Sequence, residues 1–146
     1  RLNKDKLYVK MRQESNLLIL GSISDDLFRL KESQILSQKE TENLLNFLLN
    51  LIKNVENENE ILVGRTIWCL SKLLCLVRND INYLTKIFDS VSQTLINKKS
   101  DLSIQLVSAQ CISIICQRLI SQKKEIQSKF ITKDYDALIE LLNKYF

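Results

Sequence analysis

Four cysteines, Cys69, Cys75, Cys111 and Cys116, are the residues here most able to serve as nucleophiles, redox partners or metal ligands. Their spacing argues against all three roles. None forms a C-x-x-C pair, and the chain has no histidine to complete a mixed zinc site. Each lies in a run of Leu, Ile and Val, where a free thiol behaves as a small hydrophobe. Reduced, buried thiols are therefore expected, and with them an intracellular compartment.

Without histidine, acid–base catalysis would fall to carboxylates, lysine, cysteine or tyrosine. The carboxylates sit in the polar loop around Glu56, Glu58 and Glu60 or at helix starts such as Asp25, Asp26 and Asp80, and no pair is expected to flank an apolar pocket. Gly21 and Gly64 are too few and too far apart for a phosphate-cradling loop. The expectation is a protein that is not an enzyme, with no catalytic, cofactor-binding or metal-ligating residues and no small-molecule substrate.

The formal charge is +4, but lysine and arginine are dispersed, with short pairs only at Lys98-Lys99 and Lys123-Lys124. Aromatics are not interleaved with them as base-stacking platforms require, which counts against nucleic acid. The most apolar stretch, Ile61 to Val77, is interrupted by Arg65 and Lys72 and falls short of the ~20 residues a membrane span needs. No membrane partner is expected.

The elements that carry these residues read as helices. Proline is absent and glycine occurs twice in 146 residues, so long helices go unbroken and tight hairpins are scarce. Six segments are predicted: about 7–30, 41–55, 61–77, 80–96, 102–119 and about 134–146. Ser37-x-x-Glu40 is a capping box ahead of the second. Asn79 or Asp80 can cap the fourth and Ser100-Asp101 the fifth. In the fourth, Leu84, Ile87, Phe88, Val91 and Leu95 recur at helical spacing. Ile112 to Cys116 is rich enough in β-branched residues to suit a strand, but its length and period favour helix.

The odd-numbered helices resemble one another. Gln13–Leu20, Val63–Leu70 and Val107–Ile114 superpose without gaps at offsets of 50 and 44 residues. A period of ~40–47 residues with two helices each marks HEAT and armadillo repeats. The predicted fold is an all-α, HEAT/armadillo-like α-α superhelix of about three helical hairpins, with approximate repeats at 7–55, 61–97 and 101–146. Stacking would bury the greasier helix of each pair, with Leu17, Trp68 and Ile112 in the structural core. Trp68 reads as an anchor between hairpins, with a binding-face hot spot as the other reading. Gly64 reads as a point where a neighbouring helix approaches closely. The chain starts at Arg1 and ends on Tyr145-Phe146 within an amphipathic run, so both ends read as cut from something longer.

The same runs resemble importin-β-type nuclear transport receptors. Val9-Lys-Met-Arg-Gln-Glu-Ser-Asn-Leu-Leu-Ile-Leu-Gly-Ser22 is similar to that family's E-A…L-A-L-G-S helix. Leu62-Val-Gly-Arg-Thr-Ile-Trp-Cys-Leu-Ser-Lys72 is similar to its L-x-G-R-x-x-W-x-x-S-[KR] helix, and Val107–Ile114 falls where a third family helix lies. The likeness spans about Val9 to Leu142 and is nearest to the importin-nine branch. It implies a central HEAT-repeat segment of a nuclear import receptor (a karyopherin), shuttling between cytoplasm and nucleus. Its partners would be protein cargo such as histones or other basic proteins, with Ran-GTP and nucleoporin Phe-Gly repeats bound through the whole receptor. Such receptors are typically acidic, whereas this chain is basic, with acidic residues gathered at Glu56, Glu58 and Glu60. That loop is the candidate contact for a basic partner, beside its plainer reading as a solvated insertion. The alternatives are a HEAT scaffold of a vesicle-coat or signalling assembly, and a nucleic-acid-binding helical repeat.

Overall fold

The computed structural model describes residues 2–54, 60–77, 79–97 and 101–126. They form helices α1 (Leu2–Ser22), α2 (Ser24–Glu32), α3 (Gln38–Asn54), α4 (Glu60–Leu73), α5 (Ile81–Ile96) and α6 (Leu102–Ile126), with a 3-10 turn at Leu74–Val77 after α4. The fold is all-α, and no strand occurs among the described residues. Ile112 to Cys116 lies inside the continuous helix α6. The segment predicted at about 134–146 lies outside the described residues.

Local chemistry sets the boundaries. Ahead of α3, the Ser37 N–H and hydroxyl both donate to Glu40 Oε2, at 2.8 and 2.7 Å, and the Glu40 N–H donates to Ser37 Oγ at 3.2 Å. This reciprocal capping box lowers the Glu40 pKa, chiefly through the Ser37 side chain. Asp80 caps α5 by accepting from the Tyr83 N–H at 3.1 Å, and Asp101 Oδ1 accepts from the Ser103 N–H at the start of α6.

Several predicted boundaries change: α1 begins at Leu2, α3 begins at Gln38 and not Thr41, and α6 runs on past Leu119 to Ile126. The helix expected over about 7–30 divides at Ile23 into α1 and α2. The Ser22 hydroxyl donates to the Leu18 carbonyl at 2.8 Å, a back-bond of the kind that bends helices. The bend carries α2 onto the 3-10 turn. The helix expected over Ile61–Val77 stays α-helical only to Leu73. Beyond it, the Lys31 ammonium of α2 donates to the Leu76 carbonyl, engaging an acceptor at the helix end that the helix leaves unpaired.

α2 ends in a Schellman motif: Gln34 N–H donates to the Lys31 carbonyl at 3.0 Å and Ile35 N–H to the Leu30 carbonyl at 2.9 Å. Gln34 occupies the left-handed position of that motif, with φ of 60°.

α4 lies between α1 and α6, while α3 packs on α4 and α5 packs on α6. Contacts between α1 and α4 rise together in sequence: Glu14 meets Arg65, Gly21 meets Trp68, and beyond the helix ends Ser24 meets Cys75. The two helices therefore run parallel. α5 and α6 run antiparallel, with Thr94 bonded to Ser108 and Gln105 reaching back to Asn97. The core fills the space between helices, from Leu45 and Leu48 through Ile67, Leu70 and Leu73 to Leu84, Ile87, Phe88 and Ile115, all essentially inaccessible. Each such side chain contributes roughly 1.5–3 kcal/mol on burial. Among its described residues α1 adds Leu17 and Gly21 to the buried set, while Leu7, Tyr8, Val9 and Met11 are more than half accessible.

Ile61–Val77 is not the segment that meets the requirements for a membrane span. By length and composition Leu102–Ser121 does, being 20 residues of sufficient hydropathy. In the fold it packs on α4 and α5 and buries Ile104, Ser108, Cys111, Ile112, Ile115 and Leu119.

Candidate functional site

Two surfaces combine chemically distinctive residues: the α1–α4 interface and a groove between α3 and α5. The interface brings together the residues that carry the family resemblance. Arg65 Nε donates to Glu14 Oε1 at 2.9 Å, with both side chains partly exposed. One turn further along α4, the six-membered ring of Trp68 packs against Gly21. A Cβ added at Gly21 would stand 2.8 Å from Trp68 Cη2 and 3.1 Å from Cε3, with Cζ3 nearer still. At such distances a methyl group fits only if the indole or α1 shifts, so glycine here favours the close packing. The Lys72 ammonium lies 5.9 Å from the ring centroid, within cation–π range. Trp68 is half-buried between α1 and solvent, packed against the core.

The expected close approach at Gly64 is not found there. A Cβ at Gly64 would meet Ile104 Cγ1 at 3.8 Å, an ordinary contact. The tight position is Gly21, because the indole is the bulkiest group on α4 and it faces α1, whereas Ile104 of α6 stands at ordinary van der Waals distance from a methyl group at Gly64.

The other sequence-predicted positions are dispersed. Leu17 and Ile112 are buried at 4% and 3% accessibility, on the two helices that flank α4. Glu60 is exposed as the first residue of α4; Glu56 and Glu58 lie outside the described residues. The four thiols are unpaired. Burial pushes Cys69 and Cys111 up to about 12, and raises the half-buried Cys75 and Cys116 as well. All four are thus held as protonated thiols at neutral pH, the opposite of an activated nucleophile. Among the described residues no group of three Cys, Asp or Glu side chains is placed to hold a metal ion.

The second surface was not singled out by sequence reasoning. α3 contributes Asn46, Leu49, Asn50 and Lys53 to one wall of a groove of about 430 Å³, and α5 contributes Lys86, Asp89, Ser90 and Gln93 to the other. The residues recur at three- and four-residue spacing, so each helix presents a single face to the groove. Buried Tyr83 organises one end: its hydroxyl accepts from Asn46 Nδ2 at 3.3 Å, and its ring holds the Lys86 ammonium 4.8 Å from the centroid. The sequence signal was present as the polar stripe of α3 at Asn46, Asn50 and Lys53. It gave no hint that α5 would set a matching stripe opposite.

No family profile, curated protein or solved structure matches the chain.

Proposed function

We propose that the chain is a HEAT/armadillo-like stack of helical hairpins that acts without catalysis, as a protein-binding segment of a nuclear import receptor. The observation that carries the stacking part is the convergence of Glu14, Gly21, Arg65 and Trp68 at one interface between parallel helices. Those residues belong to the two runs that resemble successive helices of a receptor solenoid, and they meet at the contact between α1 and α4. α6 packs on α4, which is compatible with a third repeating unit stacked on the second.

The transport part rests on the motif likeness. In that role the stack supplies curvature and binding surface, cargo and Ran-GTP engage the whole receptor, and weak contacts with Phe-Gly repeats carry it through the pore. The test is capture by the intact natural protein of Ran-GTP, core histones and Phe-Gly repeats. Cargo binding that Ran-GTP reverses supports the reading. Failure to bind Ran-GTP and Phe-Gly repeats, together with stable assembly into a coat or signalling complex, assigns the stack to a scaffold outside transport.

A further inference from the structure

We propose that the groove between α3 and α5 binds a short acidic segment of a protein partner, lying extended along the two helices. This stands on the groove alone and not on the transport reading.

The lining selects the ligand. Lys53 and Lys86 place one ammonium on each wall, and among the described residues neither is in an ion pair. Lys86 is held in place by the Tyr83 ring, which lowers the entropy lost when it meets a carboxylate. Asn50 and Gln93 each carry an amide with donors and an acceptor, matching main-chain amides, which need both at once, and Asn46, one N–H of which goes to Tyr83, adds its carbonyl and second N–H. Asp89 is the discriminating residue. Its carboxylate would repel a phosphate-dense polyanion, but it can accept a main-chain N–H from a peptide that carries its acidic side chains to the lysines. Two cations and one anion suit one or two carboxylates, not a nucleic-acid backbone.

The dimensions agree. Asn46 to Lys53 covers about 10 Å at 1.5 Å rise per residue. An extended chain advances ~3.3 Å per residue, so about three residues fill the groove. A basic cargo segment would meet two ammoniums of its own sign here, so this surface recognises a different partner from the one the acidic loop would suit.

The test uses a fluorescent nonapeptide with a Glu-Asp-Glu core flanked by Gly and Ser, a Gln-Asn-Gln counterpart, a Lys-core counterpart and a heparin fragment, with binding read by anisotropy and amide chemical shifts. The acidic peptide is expected to bind at least tenfold tighter than either counterpart, with shifts centred on Asn46, Asn50 and Gln93. Lys53→Ala and Lys86→Ala should each weaken it about threefold to fivefold, as expected for a solvent-facing ion pair, and leave the thermal unfolding curve in place. Equal binding of the neutral peptide, preference for heparin or the Lys core, indifference to both lysine variants, or no binding would each overturn the proposal.

Discussion

Replacing Gly21 with alanine sets two known effects against each other at a single methyl group. In a helix interior, Gly→Ala is worth about 0.5–1 kcal/mol of stabilisation through backbone entropy. At Gly21 the new Cβ would stand 2.8 Å from Trp68 Cη2 and 3.1 Å from Cε3, closer than a packed carbon tolerates. The indole or the whole of α1 must move, and overpacking of this kind costs about 1–3 kcal/mol. The sum predicts that Gly21→Ala destabilises by about 1 kcal/mol.

Trp68→Ala removes the obstruction, so in that background Gly21→Ala should recover the helix term and stabilise by about 0.5–1 kcal/mol. The sign of one substitution thus reverses, and the coupling between the sites is about 2 kcal/mol. Urea unfolding followed by circular dichroism gives the four stabilities. Because Trp68 is the single tryptophan, its emission reports directly on the α1 contact. If Gly21→Ala proves stabilising in the parent protein with unchanged emission, the ring does not pack on Gly21 and the parallel α1–α4 interface is wrong.

Gly64→Ala offers the control: with Ile104 Cγ1 3.8 Å from the new methyl, it should stabilise by about 0.5–1 kcal/mol in the same urea assay. Gln34→Gly should stabilise by about 1 kcal/mol in thermal unfolding, because Gln34 sits at φ of 60° in a position glycine occupies without strain. Thiol titration of the native protein at pH 8 should show Cys75 and Cys116 reacting before Cys69 and Cys111, with all four equal after unfolding. The same burial predicts a pH dependence. Cys69 and Cys111 have folded pKa values raised from 9.0 to about 12, so their contribution is intact below pH 9 and lost as pH climbs toward 12, because only the unfolded chain ionises in that window. A Cys69→Ala/Cys111→Ala variant should show a shallower fall of melting temperature across that range.

The all-helical character, some of the helix limits (Asp80 ahead of α5, Ile96 at its end, Leu102 at the start of α6) and the capping box were legible in the sequence because they depend on neighbours within four residues. Period 3.6 places Leu84, Ile87, Phe88 and Val91 on one side of α5 whatever surrounds it, and Ser37 and Glu40 need only each other. Other features needed partners from far along the chain. Helix α4 gives way to a 3-10 turn where Lys31, 45 residues earlier, reaches the Leu76 carbonyl. Gly21 matters and Gly64 does not because of which side chain stands opposite, Trp68 in one case and Ile104 in the other. The groove became a site only when α5 turned Lys86, Asp89 and Gln93 toward the polar stripe of α3. Periodicity tells each helix which face to bury. It is steric fit between distant side chains, a contest of ångströms that no local pattern encodes, that decides which faces meet.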